Sequence, residues 1–305
     1  DLRVNVMPTF HGEKTEMRLL RGSTRPLSLS EIGLLEKDRA IIEDNIKKTH
    51  GLVLVTGPTG HGKTTTLYAT LHLLNKPEVN IVTIEDPIEY EVPRVNQTQV
   101  NAKAGITFAT GLRALVRQNP DIIMVGEIRD NETVDISINA ALTGHLVLST
   151  LHTNDAPTAI PRLIDMGAPP FLLASTINVV VAKRLVRKIC NVCVVSYKPQ
   201  EEIRQHMQTQ MDYAIPDKKY KLPEYLYKGN GCKLCNFTGY RGQIGIFEVF
   251  NVTDTIKDLI MKQSSSDEIK KVAIKDGMTT MFEDGMTKVE SGTTTVEEVL
   301  RVIKE

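Results

Sequence analysis

Apolar residues along this chain recur with two different periods. Leu52–Val55 is a continuous apolar run, the pattern of a strand buried on both faces of a parallel sheet. A glycine-rich stretch follows, and then Leu67, Leu71 and Leu74 recur at helical spacing. Short β-branched runs at Asn80–Glu85, Asp121–Glu127 and His145–Leu151 predict further strands. Helical stretches near Thr107–Asn119 and Glu132–Leu142 lie between them. Strand and helix in alternation predict an α/β core with a doubly wound, mostly parallel sheet. Beyond Asn251 the pattern turns helical. Ser265 to Glu268 and Thr294 to Glu297 read as capping boxes, Gly277 as a stop, and a methionine-bearing amphipathic segment lies between the two helices. "EEIRQHMQTQM" also has an amphipathic pattern, and the Lys/Tyr/Pro-rich stretch after it predicts a loop.

Composition narrows the class. The chain has 305 residues, enough for two packed domains with linkers. Its 37 basic and 37 acidic side chains cancel, which argues against nucleic acid as the main partner. No apolar run approaches the ~20 residues needed to cross a bilayer. The start at Asp1, without an initiator methionine or a signal-peptide pattern, reads as a fragment of something longer. Four cysteines are too few for a disulfide-stapled secreted scaffold.

Candidate chemistry begins in the glycine-rich stretch. Gly57-Pro58-Thr59-Gly60-His61-Gly62-Lys63-Thr64 matches G-x-x-x-x-G-K-[ST], with Thr65 directly after it, between a predicted strand and a predicted helix. The glycines allow backbone N–H groups to turn onto phosphate oxygens, and the helix N-terminus adds its positive end. Lys63 then reaches the β- and γ-phosphates and the Thr64 hydroxyl holds Mg²⁺. This is the pattern of a nucleoside-triphosphate site. Ligands of such sheets bind beyond the carboxyl ends of the strands. Glu85, Asp86 and Glu89 follow one strand and Glu127 another, while His145 starts a third and His152 lies just past its end. Hydrolysis needs one carboxylate to orient or deprotonate water and another to anchor Mg²⁺. Taken singly, each acid also reads as a helix cap or a solvated loop charge, Asp86-Pro87 as turn chemistry, and a lone histidine as structural.

The cysteines form two pairs, Cys190-x-x-Cys193 and Cys232-x-x-Cys235. Each pair can present two thiolates to one tetrahedral Zn²⁺, so a closed structural zinc site is the expectation. The segment between the pairs is longer than in the common C-x₂-C-x₁₅₋₂₀-C-x₂-C pattern. Unpaired buried cysteines and redox dithiols are the alternatives.

In order along the chain, "GPTGHGKTTT", "TIEDPIEY", "IIMVGEIRD" and "HLVLSTLHTND" resemble the signature boxes of the GspE/PilB family of type II secretion and type IV pilus assembly ATPases. The likeness runs from "RVNVMPTFHGEKTEMRLL" to "GTTTVEEVLRV". It implies a RecA-like core working as a homohexameric ring that binds ATP, Mg²⁺ and a structural Zn²⁺. It further implies a cytoplasmic protein peripheral to the inner membrane, acting on pilin or pseudopilin assembly through an inner-membrane platform protein, with an upstream domain docking a further partner. By resemblance, Glu127 sits over the metal, Glu89 polarises the attacking water, and Glu85 and Asp86 support the loop. His152 is similar to the γ-phosphate-sensing histidine, with His145 its companion. Arg113 and Arg117, four apart on one helical face, suit phosphate or inter-subunit contacts. Arg3 and Arg18 match arginines that the N-terminal domain presents to the γ-phosphate. Two departures stand out: His61 replaces the usual serine, and only about 25 residues of the nearer upstream domain precede the linker, so the placement of Arg3 and Arg18 is open. Glu127 itself follows Gly126, where many P-loop enzymes carry aspartate. The expected organisation is an N-terminal-domain remnant over 1–22, a linker and lead-in helix over 23–50, the ATPase core over 51–188, a tetracysteine zinc subdomain over 189–244 and a helical subdomain over 245–305. Retraction motors share the four boxes but typically lack the tetracysteine insert, so the cysteines favour assembly. A pilus retraction motor, a ring-forming nucleotide-dependent scaffold with little turnover and a DNA-uptake motor are the other readings.

Overall fold

A computed structural model describes residues 2–19, 27–214 and 220–304. The expected linker start within 20–26, part of the loop after "EEIRQHMQTQM", and the side chains of Arg3 and Arg18 lie outside the described residues. The chain opens with a hairpin of β1 (Leu2–Thr9) and β2 (Gly12–Leu19), whose ladder sets Arg3 opposite Arg18. Then follow α1 (Glu36–Ile46), β3 (Gly51–Thr56), α2 (Lys63–Leu74), β4 (Ile81–Glu85) and β5 (Val95–Gln99). Next come α3 (Phe108–Val116), β6 (Ile122–Val125), α4 (Asn131–Leu142), β7 (Leu146–Leu151), α5 (Ala159–Asp165) and α6 (Pro170–Thr176). The long strand β8 (Ile177–Ile189) leads to β9 (Val194–Tyr197), α7 (Glu201–Ala214), β10 (Leu226–Gly229) and β11 (Tyr240–Asn251). Four helices close the chain: α8 (Asp254–Met261), α9 (Ser266–Lys275), α10 (Met281–Glu290) and α11 (Val296–Lys304).

Seven strands form the central sheet in the order β11-β8-β3-β7-β6-β4-β5. All neighbours are parallel except β11, which runs antiparallel to β8 at the edge. Every residue of β3 is buried, as a continuous apolar run in a central parallel strand requires. Leu67 and Leu71 of α2 and Ile42 and Ile46 of α1 cover one face, together with Val53, Val55, Val179, Val181 and Phe247. Leu112, Ile138, Ile160, Leu173, Ile256 and Ile269 of α3, α4, α5, α6, α8 and α9 pack on the other. A third cluster joins Met207 and Met211 of α7 to Phe282 and Met286 of α10 and Val299 and Leu300 of α11.

Two features depart from the sequence pattern. The boundary expected at 244/245 falls inside β11, which returns from the cysteine pairs to complete the core sheet. Its partner is the distant β8, and long-range pairing of that kind leaves no local trace. The cap of α11 is Thr295, not Thr294: the Thr295 hydroxyl accepts from the Glu298 N–H at 3.4 Å, while the Thr294 hydroxyl donates to the Arg187 carbonyl at 2.8 Å. Tertiary demand for one threonine thus moves the cap by a residue. The box at Ser265 and Glu268 forms as the pattern predicts.

Candidate active site

The turn from β3 to α2 builds the centre of the site. Gly57 has φ +143°, and a Cβ there would lie 2.4 Å from the Lys183 carbonyl oxygen, so only glycine lets the loop pack against β8. Gly62, at φ +74°, occupies the N-cap of α2 and has no side chain to satisfy the first-turn N–H groups. Those amides are left directed at the cleft, an arrangement suited to anions. Lys63 is buried, and its Nζ donates to the carbonyls of Gly57 at 2.7 Å and Pro58 at 3.1 Å. Burial lowers the pKa of this ammonium, and the charge of Glu127 works in the opposite direction.

Around this loop lies a cleft of about 660 Å³. Thr59, Gly60, Gly62, Lys63, Thr64 and Thr65 form one side; Glu85, Asp86, Glu89, Glu127 and His152 come from the carboxyl ends of β4, β6 and β7. Glu127 is held by two neighbouring side chains. Its carboxylate, 13% exposed, is contacted by His152 Nε2 at 3.2 Å and by Arg129 Nη2 at 2.5 Å. The preceding Gly126 is fixed twice: its N–H donates to the Ile84 carbonyl at 2.8 Å, and its carbonyl accepts from the Thr150 hydroxyl at 2.7 Å. A Cβ at Gly126 would stand 3.3 Å from the Ile84 oxygen, a closer approach than most side chains make.

Glu85 is placed differently from its neighbours in sequence. It is buried and accepts from the Tyr68 hydroxyl at 2.5 Å, the Thr83 hydroxyl at 2.6 Å and the Gln97 amide at 3.1 Å. A carboxylate so fully engaged is a tether for the loop, not a free base. Burial, followed by the charge of Glu85, raises the Tyr68 phenol pKa, so that hydroxyl stays a donor. The same oxygen accepts the Glu89 N–H at 3.3 Å. Glu89 and Asp86 are exposed at the cleft, and neither carboxylate has a hydrogen-bond partner among the described residues.

Three expected residues stand away from the cleft. His145 lies at the amino end of β7, about 20 Å of strand from His152 at ~3.3 Å per residue; its Nδ1 is 2.9 Å from the Ala140 carbonyl at the end of α4. Arg113 pairs with Glu132 on the surface, and Arg117 caps the end of α3. Tyr68, Thr83, Gln97, Thr150 and Arg129 are contributors that sequence reading missed. Only Arg129, two residues after Glu127 beyond a strand end, carried a local signal.

The cysteine pairs converge. Their four Sγ atoms lie within 4.8 Å of one another, with separations of 3.9 Å (Cys190–Cys232), 3.9 Å (Cys193–Cys235) and 3.7 Å (Cys232–Cys235). These are too long for disulfides, and a tetrahedral Zn–S₄ centre with ~2.3 Å bonds has S···S edges of about 3.8 Å. The Cys232 N–H donates to Cys235 Sγ at 3.2 Å, a contact that favours a thiolate. The donor set fits zinc, with all four positions taken by protein.

Comparison with known proteins decides the family. Residues 1–301 match the family described as Type II/IV secretion system protein. The chain belongs to that family. Within it, the chain is 48% identical over 305 residues to Type II secretion system protein E of Pseudomonas aeruginosa, covering 100% of this chain and 59% of that protein. It is 45% identical over 300 residues to the Type IV pilus assembly ATPase PilB of Myxococcus xanthus, covering 98% of this chain and 52% of that one. The chain therefore spans little more than half the length of these relatives. Among solved structures, the pilus retraction motor PilT with bound ADP superposes with a TM-score of 0.70 at 27% identity, covering 99% of this chain and 73% of that chain. The family's α/β core, with its parallel-dominated sheet, is thus the core of this protein.

Proposed function

We infer that the protein is a Mg²⁺-dependent ATPase that drives pilin or pseudopilin assembly in a type IV pilus or type II secretion machine. The observation that carries this reading is convergence. An uncapped helix N-terminus, a buried lysine and carboxylates from separate strand ends meet in one cleft. The first-turn amides and Lys63 would bind and orient the phosphates. Glu89, with its carboxylate unengaged, is positioned to take a proton from the attacking water, and Tyr68 holds its backbone. Glu127 is held by His152 and Arg129 at the end of β6, so its charge is fixed in direction. The hard oxygen donors Thr64, Glu127 and Asp86 fit a magnesium ion, which would neutralise phosphate charge.

Greater identity to the secretion and assembly proteins than to the retraction motor supports assembly as the direction of work. We also propose a homohexamer, coupled at the cytoplasmic side to an inner-membrane platform protein. No helix among the described residues is long and apolar enough to cross a membrane. In this reading Arg3 and Arg18 are presented to the γ-phosphate, Arg113 and Arg117 act at subunit boundaries, and the cysteines hold Zn²⁺ as a structural clamp. The test is phosphate release from ATP by a hexameric form of the full-length protein and its Glu89→Gln variant. Turnover that collapses in the variant supports the motor. Equal, near-zero rates in both would identify a nucleotide-dependent scaffold.

A further inference from the structure

Lys183 lies in the middle of β8 and is 1% exposed. A buried ammonium normally has a carboxylate beside it, because an isolated charge in the interior is costly. Lys183 has no such partner among the described residues. Its Nζ instead donates to the Gly62 carbonyl at 3.0 Å and to the Thr66 hydroxyl at 3.2 Å, and lies 5.3 Å from the centre of the Phe247 ring. The other buried charged groups on this side of the sheet include Lys63, Asp38, Glu85 and the mutually paired Lys288 and Asp284, with Lys288 5.9 Å from the same ring; none of these carboxylates forms an ion pair with Lys183. Glu248 and Arg184, adjacent to this ladder position, belong to the opposite face by strand alternation. Burial alone pulls Lys183 down to about 7.

The two atoms it touches explain its place. In a trans peptide the C=O and N–H point in opposite directions. Holding the Gly62 carbonyl from below therefore aims the Lys63 N–H up into the cleft. The rest of the loop is seated on the same short stretch of β8: Gly57 packs against the Lys183 carbonyl, and the Leu185 N–H donates to His61 Nδ1 at 3.1 Å. The histidine found in place of serine thus serves as an acceptor for a strand N–H beyond the end of β3.

We propose that Lys183 is a second lysine of the phosphate site, a positioning residue acting from behind the loop. It sets the Gly62–Lys63 peptide for phosphate, and the phosphates supply the counter-charge that the protein withholds. The inference rests on the nucleotide-site reading above and deepens it.

The test is binding of ADP and of a non-hydrolysable ATP analogue to wild type, Lys183→Met and Lys183→Gln, with melting temperatures and steady-state kinetics alongside. Gly62 keeps its helical acceptor bond from the Thr66 N–H at 3.2 Å, and an unpaired buried charge is removed, so Lys183→Met should melt at or above the wild-type temperature. It should bind nucleotide at least about tenfold more weakly, the order expected for a lost charge-assisted contact, and raise KM with little change in kcat. Lys183→Gln, which keeps a donor but no charge, should fall between the two. Affinity within about twofold of wild type in both folded variants overturns the proposal; if only Lys183→Gln folds, wild-type affinity in that variant alone does so. Wild type that fails to bind either nucleotide would sink the nucleotide-site reading itself, a distinguishable result.

Discussion

Replacing Tyr68 with phenylalanine tests how the carboxylates are held. The ring packs against Tyr90 with centroids 4.4 Å apart, and phenylalanine keeps that packing, so no cavity opens. What disappears is one hydroxyl that donates to Glu85 Oε2 at 2.5 Å and accepts the Glu89 N–H at 3.3 Å. Glu85 retains Thr83 and Gln97 on its other oxygen, so a single buried, charged acceptor loses its donor. Charge-assisted bonds of this kind are worth ~1.5–3 kcal/mol, and about 2 kcal/mol is the expected cost. For a chain of this size that is a fall in melting temperature of roughly 3 °C. The assay is urea unfolding of wild type, Tyr68→Phe, Glu85→Gln and the double variant. The account expects the double variant to cost well under the sum of the single ones, because both remove the same contact. Strictly additive costs, or a Tyr68→Phe protein as stable as wild type, would refute the claim that this pair anchors the loop. Loss of the Glu89 tether should also lower kcat more than it weakens nucleotide binding.

Two further outcomes follow from other parts of the chain. Unchelated, purified protein should carry about one zinc per chain by mass spectrometry, and Cys190→Ser should lower both zinc content and melting temperature; metal well below one per chain removes the zinc assignment. Glu298 is buried, which by itself raises its pKa, but donation from Arg187 at 2.7 Å and Arg301 at 3.0 Å outweighs burial and holds the carboxyl at about 2. A depressed carboxyl pKa stabilises the folded state above the unfolded value of 4.5, and that stability drains away as pH falls toward about 2. Both arginines are nearly half exposed, so the screened contribution is about 1–2 kcal/mol. Glu298→Gln should therefore cost that amount at neutral pH and progressively less below about pH 4.5, measured by denaturation across the range; a pH-independent cost contradicts the ion-pair explanation.

What the sequence disclosed was local. Strand β3, its glycine turn and helix α2 are contiguous, and the capping box at Ser265 needs only four residues, so each left a readable pattern. The cysteine spacing also signalled a cluster, because two short loops with matching pairs have few other uses. The resemblance pairs His145 with His152, yet the two stand at opposite ends of β7 and only His152 lines the cleft. Contacts between distant segments were not legible. Tyr68 and Gln97 meet Glu85 only because α2 and β5 flank β4. Lys183 looks like an ordinary strand lysine until β8 is laid beside the phosphate loop. The return of β11 to the sheet edge likewise depends on β8, more than fifty residues earlier in the chain.

The central claim is that this cleft hydrolyses ATP using carboxylates at the strand ends. It is tested most directly by the steady-state rate of phosphate release in the full-length protein and in Glu127→Gln, with nucleotide affinity measured on the same samples. The account predicts a rate at least about 100-fold lower in the variant, with ATP still bound, since the loop and Lys63 are untouched. Unchanged turnover in Glu127→Gln would contradict it.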